Sequence, residues 1–414
     1  MISGTTKAGM QYAVKRSSSP VSYCALSIKC GTRDEEGWHS GIAHFTEHTI
    51  FKGTAHKSAS KINSYLDRLG GELNAFTTKE EIVFHATVLK EDLKKAASLL
   101  MELATCPTFP QNEVCTEKSV VIDEINSYKD SPSEDIYDKF EEMLFEGHPL
   151  GRPILGTAAS VRKITPEELS KFRKEKFQSG KMAFTIVANV DERKLEALAN
   201  SLSEQYFPET LIASDSNATA ASITEFRRSL PPFDLSINKH NHQANCVIGN
   251  TGPSLYKKQE RLATVLLCNI LGGPASNSIL NSVLREKNGW VYGVECTYTQ
   301  YADTGIVTIC IGCDKDNLDK CVEATMKEIL KLQSSPLSAR KLREAKKQLL
   351  GQLAISSDNG ETQCLSMGKS LMSWRMVTPD DQVRRSIEGI TAEEVQRMTV
   401  EIFDKEKLCK LIYL

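Results

Sequence analysis

The chain has 414 residues, of which 40% are hydrophobic and 25% charged, with a formal net charge of −2. This is an ordinary globular balance, and without a basic stripe it gives nucleic acid and anionic membrane surfaces no electrostatic footprint, so neither is expected as a partner. The length exceeds one comfortable core and implies two domains of about 200 residues each.

Met1 to Val14 is polar and lacks the apolar region of a secretory signal. The longest apolar stretches, such as Leu262 to Leu271, fall short of the ~20 residues that span a bilayer. A cytoplasmic location is therefore expected, unless a signal segment has been removed. The spacing then predicts a strand over Val21–Lys29 and helices over Gly41–Phe51 and Ala59–Leu69, the second stopped by Gly70-Gly71. Leu73–Leu89 reads as a pair of strands, Leu93–Ala104 and Asn112–Tyr128 as helices, and Met182–Val190 as a further strand. Ala213–Ser222, rich in Ser, Ala, Asn and Thr, reads as a linker. The expected domains are 1–212 and 223–414.

The second half repeats the order of the first. Ile62-Asn63-Ser64-Tyr65-Leu66 with Gly71 lies opposite Leu280-Asn281-Ser282-Val283-Leu284 with Gly289, and the helices at Leu93 and Glu124 lie opposite segments at Leu318 and Gln352. This is a diverged duplication. In that alignment His44, Glu47 and His48 face Leu262, Val265 and Leu266, and Glu124 faces Gln352. Polar residues that only one half carries point to function rather than to a need of the fold. The twelve cysteines are scattered through apolar runs, which fits buried free thiols in a reducing compartment. Cys310 and Cys313 form a lone C-x-x-C without a second pair, read as structural.

His44-Phe45-Thr46-Glu47-His48 is an H-x-x-E-H motif, the inverse of the commoner H-E-x-x-H. On a helix, residues four apart share a face, so both imidazoles can reach one ion with Glu47 beside them. Zinc needs a third protein ligand while one position stays open, and Glu124 can supply it from a later helix. Glu117 stands two turns before Glu124, where a carboxylate can orient a ligand imidazole. In this arrangement Glu47 would take a proton from the attacking water. Two histidines one turn apart can equally be satisfied surface or core residues. His240 and His242 have no carboxylate cluster and are read as structural.

Several longer patches accompany the motif: Gly41-Ile-Ala-His-Phe-Thr-Glu-His-Thr-Ile-Phe-Lys-Gly-Thr54, Gly70-Gly-Glu-Leu-Asn-Ala-Phe-Thr77, Glu117-Lys-Ser-Val-Val-Ile-Asp-Glu-Ile125, Gly147-His-Pro-Leu-Gly-Arg-Pro-Ile-Leu-Gly156 and Leu284-Arg-Glu-Lys-Asn-Gly-Trp-Val-Tyr292. In order and together they resemble the pitrilysin/insulinase family of zinc metallopeptidases, and within it the processing-peptidase-like members. The resemblance implies an α+β fold of two homologous halves, each an antiparallel β-sheet with helices packed on it. It implies His44, His48 and Glu124 as zinc ligands, Glu47 as base and Glu117 as support. It also implies Asn74 and Ala75 on an edge strand that binds extended peptide, and Arg285 and Tyr292 contacting substrate and oxyanion. Taken alone, Arg285 could equally be a surface charge and Tyr292 a core aromatic. Peptide substrates are expected, hydrolysed inside a closed chamber, with a homodimer or a related noncatalytic subunit completing it. A noncatalytic scaffold or peptide-binding relative is the alternative, which an intact Glu47 and Glu124 disfavour.

Overall fold

Strands rich in β-branched and aromatic residues build two sheets, one from each half of the chain. The computed structural model describes residues 1–208 and 223–414, so the expected linker at 213–222 lies outside the described residues. The first sheet contains β1 (Ile2–Thr5), β2 (Gln11–Arg16), β3 (Val21–Ile28), β4 (Glu72–Thr77), β5 (Ile82–Leu89) and β6 (Met182–Ala188), in the order β1-β2-β6-β3-β5-β4. Neighbours are antiparallel except the parallel pair β2/β6. Every residue of β6 is buried, as a central strand covered on both faces requires. Strands β1 and β2 go unread in the sequence, because the polar four-residue β1 at the sheet edge carries only a weak alternation.

The second sheet contains β7 (Asp234–Ile237), β8 (Gln243–Gly252), β9 (Val291–Gln300), β10 (Gly305–Asp314) and β11 (Cys409–Tyr413), in the order β7-β11-β8-β10-β9. Here only β7/β11 is parallel. Each sheet is thus antiparallel apart from one pair, and the fold is α+β with two halves. The helices of the first half are α1 (Ile42–Ile50), α2 (Ala59–Asp67), α3 (Leu93–Thr105), α4 (Gln111–Lys129), α5 (Pro132–Leu144), α6 (Ala158–Val161), α7 (Pro166–Lys176) and α8 (Glu192–Tyr206). Those of the second are α9 (Lys258–Gly272), α10 (Leu318–Ser334), α11 (Ala339–Ser356), α12 (Gly360–Trp374), α13 (Asp380–Glu388) and α14 (Ala392–Ile402), with a π-helical stretch at Asn281–Lys287. Among the described residues, no helix is long and apolar enough to cross a membrane.

On the first sheet, Leu26, Ile28, Phe84 and Ile186 pack against Ile42, Phe45 and Ile50 of α1 and against Leu100 and Leu103 of α3. The opposite face is built from small residues, Ala13, Ala25 and Ala183, with Val83 and Val187. Against it lie Cys364, Met367 and Leu371 of α12. The approach is close: a Cβ at Gly368 would stand 2.5 Å from Ser27 Oγ, and Thr185 Oγ1 donates to the Cys364 carbonyl at 2.9 Å. On the second sheet, α9 and α14 cover one face through residues such as Leu266, Leu271, Val395 and Met398. On the other, α5 sets Phe140 against Phe233 (ring centroids 5.3 Å apart) and above Gly249.

The compact units therefore depart from a single cut near residue 212. Residues 1–126, 148–208 and 355–378 form one unit, and 127–147, 223–354 and 379–414 the other. Helix α5 is encoded in the first half and α12 in the second, yet each covers the sheet encoded by the other half. A two-layer sheet needs both faces covered, and sequence periodicity shows that a helix is amphipathic without showing which sheet it covers. All twelve cysteines are free and nine are buried, matching the expectation of unpaired thiols. A fragment ending at residue 208 lacks α12 and exposes the small-residue face. It is expected to bind a hydrophobic dye and to melt without a cooperative transition, in contrast to the full chain, when both are followed by calorimetry.

Candidate active site

Helix α1 is positioned from its N-terminus. Its N-cap, Gly41, has φ +89° and no side chain to satisfy the first amides. The Glu35 carboxylate, 2% exposed, does so instead, accepting from the Gly41 and Ala43 amides at 2.9 Å each. Burial pushes the Glu35 carboxyl up to about 7, while those two amides and the charges of Arg152 and Lys79 hold it back. Gly41 is required by space as well as by φ, since a Cβ there would sit 2.6 Å from the Leu155 carbonyl. Gly156, at φ +70°, leaves equally little room against the Ser40 carbonyl. Leu155 and Gly156 thus fit closely over the start of α1.

With Ile42, Phe45, Thr46, Thr49 and Ile50 turned into the core, His44, Glu47 and His48 share another face of the helix. Opposite stands α4. His48 Nε2 lies 3.4 Å and His44 Nε2 3.8 Å from Glu124 Oε2, and the three ligand atoms fall within 4.8 Å of one another. Ligand atoms at about 2.0–2.2 Å from a tetrahedral zinc stand roughly 3.3–3.6 Å apart, so the His48 contact is at that spacing and the His44 contact slightly wider. Two imidazoles with one carboxylate are a donor set suited to that ion. Glu124 Oε2 is buried without a hydrogen bond, an acceptor that a cation would satisfy. Burial, then the neighbouring His48, push His44 down to about 4 against the pull of Glu124, so its imidazole is neutral and able to ligate. For His48 burial acts downward, but the bond to Glu117, the adjacent Glu124 carboxylate and the charge of Glu47 raise it to about 9. Two imidazoles facing two carboxylates draw a positive charge to this spot. The adjacent His48 imidazole outweighs burial and holds the Glu124 carboxyl below its usual range.

The supporting groups close around this triad. Glu117 Oε1 lies 3.0 Å from His48 Nδ1, and Glu117 Oε2 lies 2.7 Å from Lys52 Nζ. Thr77, the last residue of β4, donates to Glu47 Oε2 at 2.6 Å. Burial raises the Glu47 carboxyl, opposed by the Thr77 bond and by His48. Glu35, Lys52 and Thr77 escaped the sequence reading. Thr77 and Lys52 stand inside the patches quoted for the family, but their partners are distant in sequence and no local pattern marks them.

The structure brings His44, Glu47, His48, Glu117 and Glu124 together. Asn74 and Ala75 lie on β4, the outermost strand of the first sheet, paired on one side with His85 and Phe84 of β5. Arg285 and Tyr292 belong to the second unit. Arg285 is exposed on the π-helical stretch, and Tyr292 on β9 is 58% exposed and donates to Asp314 Oδ1 at 2.7 Å. Among the described residues, the His44, His48, Glu124 triad is the one group of three or more such side chains that could hold a metal. His240 and His242, Cys310 and Cys313 form no such group. The helix start also yields a pH signature. Glu35 has its folded pKa raised above the usual carboxylate value of about 4.5, so its contribution to stability is full below pH 4.5 and is lost as pH rises through 7. Urea unfolding of wild type and Glu35→Ala should therefore differ more at pH 5 than at pH 8, by up to about 3 kcal/mol.

Comparison with known proteins divides the chain between residues 158 and 163. Residues 12–158 match the insulinase (peptidase family M16) model, and residues 163–349 match the peptidase M16 inactive domain. An uncharacterized zinc protease of Bacillus subtilis is 28% identical over 386 residues, spanning 93% of this chain and 91% of its own. One from Rickettsia felis is 28% identical over 378 residues, spanning 91% and 89%. Among solved structures, a protease from Helicobacter pylori superposes with a TM-score of 0.89 at 20% identity, over 100% of this chain and 98% of that one. A peptidase M16 inactive domain from Pseudomonas fluorescens gives 0.86 at 18% identity, over 100% and 97%. At such identities these two structures speak for the fold alone. The H-x-x-E-H helix and Glu124 fall within the first matched region, and the region without a metal-binding triad matches the inactive domain. With both of its domains present in order, the chain belongs to the peptidase M16 (insulinase) family.

Proposed function

We propose that the protein is a zinc-dependent endopeptidase that hydrolyses peptide bonds of unfolded peptides, with Glu47 as general base. The observation that carries this reading is the convergence of His44, His48 and Glu124 on one point with Glu47 on the same helical face. The names of the curated relatives as zinc proteases support the choice of ion and reaction. His44, His48 and Glu124 would hold zinc, which when bound supplies Lewis acidity toward a carbonyl and a water molecule.

The chain's own groups account for the proton. Glu47 takes it from the attacking water and returns it to the leaving amine, and a carboxyl raised by burial is suited to both steps. Thr77 holds one carboxylate oxygen of Glu47 and so sets its orientation. Asn74 and Ala75, on the open side of β4, are the backbone to which an extended peptide would add as a further strand, a mode that reads main chain more than side chain. Arg285 and Tyr292 are assigned to substrate and oxyanion contact from the family resemblance. The same resemblance supports a closed chamber formed with a second copy or a related subunit, and the buried free thiols support a reducing compartment such as the cytoplasm.

Metal analysis combined with cleavage of an unstructured peptide tests this. Glu47→Gln is expected to retain zinc while kcat/KM falls by at least roughly 10²–10⁴-fold. Glu124→Ala should lose the metal as well as activity. Equal turnover by wild type and Glu47→Gln would sink the base assignment, and purified wild type that takes up no zinc would sink the site.

A further inference from the structure

Lys52 follows His48 by four residues, just beyond the end of α1. Its ammonium does not point into open solvent. Nζ lies 2.7 Å from Glu117 Oε2, while the other oxygen of that carboxylate, Oε1, lies 3.0 Å from His48 Nδ1. Glu117 is 5% exposed, so its two oxygens are divided between two partners, both carried by the same end of α1. We propose that Lys52 is a positioning residue of the metal centre, fixing the orientation of the Glu117 carboxylate and through it the ring of His48.

The inference rests on the zinc reading above and follows from hydrogen-bond directions. An ionised carboxylate only accepts, so Glu117 Oε1 requires a proton on His48 Nδ1. That leaves the lone pair on Nε2, the atom 3.4 Å from Glu124 Oε2 where a metal would bind. For Oε1 to serve His48, something must hold the carboxylate plane, and Lys52 does so by occupying Oε2. With Lys52 removed, a buried carboxylate loses one of its two partners and is free to turn away from the imidazole. The chain of contacts Lys52–Glu117–His48 also ties the end of α1 to α4, the two helices that supply all three candidate ligands. A lysine placed only for solubility would not approach a buried carboxylate that already contacts a ligand imidazole.

The test is the zinc dissociation constant of the full chain, measured by competition with a chromophoric chelator, with circular dichroism as a check of folding. Lys52→Met should weaken zinc binding about tenfold, the lower end of the 10–100-fold typical for loss of a ligand's supporting partner. Lys52→Arg should restore binding to within about threefold, because a guanidinium can also donate to Oε2. On a Glu117→Gln background, Lys52→Met should have no further effect, since the partner through which it acts is already altered. The visible spectrum of the cobalt-loaded protein should shift in Lys52→Met and return in Lys52→Arg. If Lys52→Met does not fold, Lys52→Gln takes its place in the same cycle. An unchanged constant in Lys52→Met, or an equal loss in both backgrounds, overturns the proposal while leaving the zinc reading intact. Wild type that binds no zinc overturns both.

Discussion

The site depends on the juxtaposition of α1 and α4, where two imidazoles from one helix meet two carboxylates from the other. Neither helix could hold such a group alone. His44 and Glu117 are each at most 6% exposed, and an ionisable side chain at that depth is costly unless its charge is matched. The matching is mutual: Glu124 serves both imidazoles, Glu117 serves His48, and Lys52 balances Glu117. The arrangement has more negative than positive partners around His48, which is the electrostatic condition for a cation. The rest of the first unit serves to hold these two helices in register. Glu35 fixes the start of α1, Thr77 fixes Glu47, and the core beneath Ile42, Phe45 and Ile50 fixes the rotation of the helix.

The second half shows what the same architecture does without that demand. Helices α9 and α11 occupy the places that α1 and α4 hold in the duplication, and their polar contact is an amide pair, Asn269 Nδ2 to Gln352 Oε1 at 2.7 Å. Gln352 is the residue expected opposite Glu124, whereas Asn269 lies one helical turn beyond Leu266, the residue expected opposite His48. A neutral amide pair satisfies its own hydrogen bonds and draws no cation. The charged version in the first half is therefore not a requirement of packing two helices on a sheet.

Much of this was legible from the sequence, and the limits have physical causes. The boundaries of α1, β3, β6 and α4 came within a residue or two, because each carries strong periodicity and clear stops. His44, Glu47 and His48 were legible because helical spacing alone places them on one face. Glu124 and Glu117 needed only the further assumption that their helix passes the first. By contrast β1 and β2 were missed, being short and half polar, and nothing local in the sequence assigns α5 and α12 to their sheets. The small residues that receive α12, Ala13, Ala25 and Ala183, look like weak strand positions until the helix is in place. Lys52, Thr77 and Glu35 were invisible for the same reason. Each acts on a partner whose position only the tertiary fold determines.

This asymmetry gives the functional reading its force. Local structure and burial agree along most of the chain, as expected of a sequence that folds to one state. They conflict at the start of α1, where Gly41 provides no side-chain cap and Glu35 is buried with its carboxyl raised to about 7, and on α4, where Glu124 Oε2 is left without a hydrogen bond. The duplicated half carries apolar side chains opposite His44, Glu47 and His48, at Leu262, Val265 and Leu266, all three packed in or against its core. Polar groups at such depth on the facing sides of two packed helices are not what packing alone selects. The conflict at Gly41 and Glu35 is met by the two amides that donate to Glu35, whereas a divalent cation between α1 and α4 would satisfy the orphan oxygen and balance the carboxylate charge there in one step.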